Sequence, residues 1–113
     1  MIARINRFHG HKSVSRVRGA TIHSSLFSIR YATSSRTDYR LAVVVSKKIS
    51  LKAVIRNRIR RRLFETVRQQ KRIQGLPLDL VIYAKSVELA DVDQAVLAQE
   101  MASAIKKILR AQN

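Results

Sequence analysis

Apolar positions first recur with the period of a strand between His23 and Thr33, where Phe27, Ile29 and Tyr31 alternate with Ser28 and Arg30. One face of this segment is therefore expected to be buried, with Arg30 pointing away from the core. A polar stretch, Ser34-Ser35-Arg36-Thr37-Asp38, turns the chain into Leu41-Ala42-Val43-Val44-Val45, a β-branched run typical of a buried strand. These two segments are expected to pair antiparallel. From Ser50 to Gln74 the period changes, and Ile55, Ile59, Leu63 and Val67 fall within an arc of about 120° on a helical wheel. That stripe predicts a long helix packed on the sheet, with Asn57, Arg58, Arg61 and Arg68 on the side facing away.

Gly75 and Pro77 end the helix, and Leu80-Val81-Ile82-Tyr83-Ala84 reads as a further buried strand. After Glu88 to Asp93 a final helix carries the stripe Leu97, Met101, Ala104 and Ile108, with Asp91 or Asp93 as its N-cap. A short helix from Lys12 to Arg18, with Val14 and Val17 in contact at i, i+3, closes at Gly19. The order helix, strands, helix, strand, helix implies an α+β fold. Its expected form is a two-layer α/β sandwich of about four strands, with a long basic helix and helices at both ends.

At 113 residues the chain is expected to form a single domain over residues 1–113, without repeat or linker. With 46% hydrophobic residues and a net charge of +16, it reads as a folded basic protein, because a disordered basic tail would lack apolar residues. The absence of cysteine excludes disulfides, Cys-ligated zinc, iron–sulfur clusters and thiol catalysis, and is compatible with a reducing cytoplasm. No run approaches the roughly 20 apolar residues that cross a bilayer, and Met1 to Gly10 lacks the core of a secretory signal. A soluble cytoplasmic protein that does not enter membranes is expected, with those first residues as a basic arm.

The charge is localised. Residues 1–72 hold 19 Lys and Arg against two acids, Asp38 and Glu65, whereas residues 73–113 hold four bases against five acids. Such clustering repels itself unless counterions or a polyanionic partner offset it. Nucleic acid is the first candidate partner, an anionic membrane the second and a merely solubilising surface the third. Between Lys52 and Arg72 nine bases face one acid, Glu65, so i, i+4 ion pairing neutralises little of the helix. Arginine dominates the dense part, and its planar fork takes phosphate oxygens in pairs and stacks on bases. The residues expected to contact RNA are Lys47, Lys48, Arg56, Asn57, Arg58, Arg60, Arg61, Arg62 and Arg68. Asn57 adds an amide suited to a base edge or a 2′-hydroxyl.

Hydrolysing a phosphodiester generally takes carboxylate-held metal ions or a positioned acid–base pair. The basic region offers only Asp38 and Glu65, with His9, His11 and His23 as scattered imidazoles. No catalytic residue and no metal site is therefore assigned, and no cofactor is expected on the protein alone. Phe27, Tyr31 and Tyr83 are expected in the core, while Phe8 and Phe64 remain available for RNA.

Val45-Ser46-Lys47-Lys48, followed after seven residues by Arg56-Asn57-Arg58-Ile59-Arg60-Arg61, resembles the signature of the bacterial ribonuclease P protein component. Arg7-Phe8 leading to Gly19, the strand Leu26 to Tyr31 and the segment Asp79 to Ala84 match as well. The resemblance implies an accessory subunit that binds a catalytic RNA and precursor tRNA and assists removal of the 5′ leader. In that family the RNA performs the chemistry with magnesium ions, and no obligate protein partner is implied. It also implies that Lys47, Lys48 and Arg56 to Arg61 face the catalytic RNA. A cleft beside the sheet, here with Val14, Ser28 and Arg30, would guide the leader. Where the family often has aromatic residues on the first helix and a glycine after the lysines, this chain has Val14, Val17 and Ser50. The main alternative is a ribosomal or other structural RNA-binding protein with no part in cleavage. A helix-turn-helix DNA regulator would need a second helix just before the basic one, where Leu41 to Val45 reads as strand. A metal nuclease acting without RNA is the third.

Overall fold

A computed structural model of the chain describes residues 19–112. The expected helix from Lys12 to Arg18, and with it Val14, lies outside the described residues. Four strands, β1 (Ala20–His23), β2 (Phe27–Thr33), β3 (Arg40–Val44) and β4 (Leu78–Ala84), form one sheet with two helices, α1 (Ala53–Arg68) and α2 (Gln94–Gln112). The mixed α+β class expected from the sequence is the one observed.

The pairing of β2 with β3 is not as expected. The strand order is β1-β2-β4-β3, so β4 lies between them, antiparallel to β2 and parallel to β3. Burial explains the placement. β4 is apolar on both faces, with Val81 at 0% exposure on one and Leu80 and Ile82 at 1% and 0% on the other, as suits a central strand. The parallel pair β3 and β4 is joined through α1, a strand–helix–strand crossover.

The segment expected as one strand from His23 divides into the hairpin of β1 and β2. Ser24 turns the chain, its N–H donating to the Phe27 carbonyl at 2.8 Å while its hydroxyl accepts from Leu26 N–H at 3.3 Å. Gly19 leads into β1 so close to β2 that a Cβ there would lie 1.5 Å from the Tyr31 carbonyl oxygen.

α1 is shorter than the sequence pattern suggests. It starts after Lys52 and ends at Arg68, followed by a single 3-10 turn over Lys71–Ile73 and then Gly75 at φ 76°, a left-handed conformation that favours glycine. The predicted stripe holds: Ile59, Leu63 and Val67 are buried, with Ile55 packed at their edge. They share one core with Phe27, Ile29, Tyr31, Leu41, Val45, Leu80 and Ile82 of the β-sheet region and with Leu97, Met101, Ala104 and Ile108 of α2. Asp93 caps α2, its carboxylate accepting from Ala95 N–H at 2.9 Å.

Two aromatic assignments change. Tyr83 does not join this core but lies on the opposite face of the sheet, where it and Val44 flank Val81 and Ala42. Strand parity requires it, because Tyr83 alternates with Ile82 and shares a face with Asp79 and Val81. Phe64 is half-buried and packs against the main core rather than standing open to a partner.

Replacing Gly19→Ala is expected to force β1 away from Tyr31, lowering unfolding free energy by about 1–3 kcal/mol. Urea denaturation checks this, and unaltered stability would mean that the close approach at Gly19 is not needed.

Candidate nucleic-acid interface

The turn from β3 into α1 concentrates positive charge at a helix end that is already positive. Lys47, Lys48 and Lys52 are exposed, Lys52 occupies the N-cap without a side-chain cap, and no acid stands in the first turn. A cap and an acidic first turn would each stabilise this end, by about 1 kcal/mol and 0.3–1 kcal/mol respectively. The local order instead comes from Ser50. Its hydroxyl accepts from Lys52 N–H at 3.2 Å and its carbonyl from the Arg56 guanidinium at 2.9 Å. The helix therefore opens toward solvent with free amide donors framed by cations, a geometry suited to an anion.

Along α1 the arginines differ in what they touch. Arg61 is exposed and has no ion pair among the described residues. Arg60 donates to the Asn57 side-chain oxygen at 2.7 Å, which occupies the amide's acceptor and leaves its NH2 group for a partner. Arg58 pairs with Asp91 at 3.3 Å, yet the two side chains are 56% and 80% exposed, so solvent screens the pair. Arg68 pairs with Glu65, and holds that carboxyl down to about 2, so the acid stays ionised at any ordinary pH.

Arg62 turns toward the fold. Its guanidinium donates to the Leu89 carbonyl at 2.8 Å, to the Val92 carbonyl, and to the Gln94 side-chain oxygen at 3.3 Å. Gln94 in turn donates to Thr66, whose buried hydroxyl donates to the Arg62 carbonyl at 2.7 Å. Arg62 thus fastens the turn Val87–Ala90 and the start of α2 to α1. Sequence reasoning groups it with the RNA-facing arginines because it continues the dense basic run that starts at Arg56. No sequence pattern disclosed that the segment 89–94 would pass beside it, nor that Asp91 would meet Arg58.

The outer face of the sheet holds a second set. Arg30 lies over the Tyr83 ring, 5.5 Å from its centroid, and Ser28 beside it is only 8% exposed. At the far end of this face Arg40 grips Asp79 through two hydrogen bonds of 3.0 and 2.9 Å. Tyr83 was missed as part of this face, although Asp79, alternating with the apolar run, marks the parity. Among the described residues no group of three or more His, Cys, Asp or Glu could hold a metal ion.

The sequence model of the family described as Ribonuclease P matches residues 3–109. A ribonuclease P protein component from Thermus scotoductus is 39% identical over 71 residues, which is 63% of this chain and 41% of that protein. The match thus spans less than half of that relative's length. The solved structure of the Staphylococcus aureus RNase P protein superposes with a TM-score of 0.76 at 21% identity, covering 91% of this chain and 94% of that one. The Thermotoga maritima RNase P protein gives 0.70 at 24% identity, covering 79% and 83%. At these identities the two structures speak for the fold.

Arg61→Ala and Arg62→Ala are expected to separate two roles. Arg62→Ala should cost about 1–3 kcal/mol of stability by leaving the Leu89 and Val92 carbonyls without their donors. Arg61→Ala should leave stability unchanged and lower the slope of log affinity for RNA against log salt by about 0.7–0.9. Paired denaturation and filter-binding series check both, and a reversed pattern would exchange the assignments.

Proposed function

The chain belongs to the ribonuclease P family, and on that premise we propose that it is the protein component of the enzyme, binding the catalytic RNA and precursor tRNA and assisting removal of the 5′ leader. The observation that carries the reading is the cationic surface formed by Lys47 and Lys48 on the turn before α1 and by Asn57, Arg58 and Arg61 on the helix, whose opposite side is buried in the core. Arg56 and Arg60 brace this surface from its edges through Ser50 and Asn57. Arg68 contributes less net charge because Glu65 stays ionised beside it, and Arg62 contributes through the fold.

Two polyanions brought together repel each other. The protein's contribution is to place guanidinium forks and ammonium groups where phosphates of one meet phosphates of the other. Arg30, on the outer face of the sheet with Tyr83 as a neighbouring ring, is the described residue suited to the leader's backbone, whereas Ser28 beside it is buried and does not offer its hydroxyl to a partner. In this reading magnesium ions belong to the RNA and supply the activation of water there, and the protein's residues hold and orient. The site of action is the cytoplasm. The family match favours this reading over a ribosomal protein of similar charge.

Adding the purified full chain to a ribonuclease P RNA transcript and precursor tRNA at low magnesium is expected to restore leader removal, and protein without the RNA should cleave nothing. Binding without restored cleavage would favour the structural RNA-binding alternative. Cleavage by protein alone would return catalysis to the polypeptide.

A further inference from the structure

Beyond the carboxyl end of α1 lies a second cationic surface that shares no residue with the first. The 3-10 turn leaves the helix direction, so Gln70, Lys71 and Arg72 form one wall of an open groove of about 590 Å³, and Gln99, Ser103 and Lys106 of α2 form the other. The α2 residues recur at i, i+4, i+7 on one flank, and burial of Leu97, Met101, Ala104 and Ile108 fixes that flank toward the groove.

The lining is chemically one-sided. It offers three cations, two amides and a hydroxyl, and no carboxylate. None of the three cations has an ion pair among the described residues, and all three are exposed. Lys71 and Arg72 follow the carboxyl end of α1, where a helix dipole favours positive charge. That effect gives no reason for Lys106 to stand across the groove from them, an arrangement that adds repulsion unless an anion lies between. The amides and the hydroxyl both donate and accept, which suits phosphate oxygens and ribose hydroxyls together.

We propose that this groove binds the sugar–phosphate backbone of a second RNA segment, distinct from the one meeting the outer face of α1. The proposal rests on the functional reading above and extends the protein's contact to two separate stretches of polyanion. Either the catalytic RNA or the precursor tRNA can supply the segment, since the recognised chemistry is the same.

The sequence contains no cysteine, so a single introduced thiol gives a unique attachment point for a tethered hydroxyl-radical source. Ser103→Cys reports the groove, and Ser46→Cys, on the exposed turn before α1, reports the first surface. Each is assembled with catalytic RNA and precursor tRNA, one strand end-labelled at a time. Scission from Ser103→Cys at nucleotides different from those cut by Ser46→Cys is expected, and the labelled strand that is cut identifies the source. Scission from Ser46→Cys alone would overturn the groove while leaving the functional reading intact, and scission from neither would overturn both. In parallel, the double variant Lys71→Ala/Lys106→Ala should melt as the parent does and lower the salt slope by about 1.4–1.8, corresponding to two lost phosphate contacts. An unchanged slope would also overturn the proposal.

Discussion

Burial of Ile59, Leu63 and Val67 in the common core leaves α1 one rotational setting. Rolling the helix by one position, about 100°, would bring an arginine under the sheet, and an unpaired guanidinium there costs several kcal/mol. Each large aliphatic side chain lost from such a core costs about 2–5 kcal/mol. The orientation of Asn57, Arg58 and Arg61 is thus determined by apolar groups on the far side of the helix. The cations themselves supply little of the force that positions them.

The remaining contacts of α1 sort its charges into those serving the fold and those left to a partner. Arg62 holds the start of α2 in place, and Arg68 stands beside an acid that stays ionised. Arg58 has Asp91 near it, but the pair is exposed and weakly coupled, so an incoming phosphate competes on favourable terms. Arg61 and the lysines of the preceding turn have no such neighbour among the described residues. The uncapped start of the helix adds donors with no side-chain cap among the described residues. A surface assembled this way is locally unfavourable in the free protein, and that cost is relieved by a polyanion.

Much of this was legible in the sequence because period and polarity agreed. The α1 stripe, the α2 stripe, an aspartate cap at Asp91 or Asp93 and the glycine after α1 follow from local chemistry. What escaped depended on partners distant in sequence. A strand's neighbour is not encoded in its own pattern, so β3 was set beside β2 when β4 separates them. The apolar run Leu80 to Ala84 hid its own parity, which put Tyr83 on the wrong face. Arg62 could not be told from Arg61 without knowing that residues 89–94 return across α1. The groove between Lys71 and Lys106 was invisible for the same reason.

The central position of β4 has a consequence for how the chain reaches its native state. Both of its neighbours precede it, and Arg40 waits 39 residues for Asp79 in the β3–β4 ladder. During synthesis the basic helix leaves the ribosome before the strand that completes the sheet beneath it. Closing such long loops before any sheet contact rewards them slows folding. For that interval the arginine-rich segment exists as a tethered, unseated polycation. Its first encounter with nucleic acid therefore competes with its own tertiary assembly.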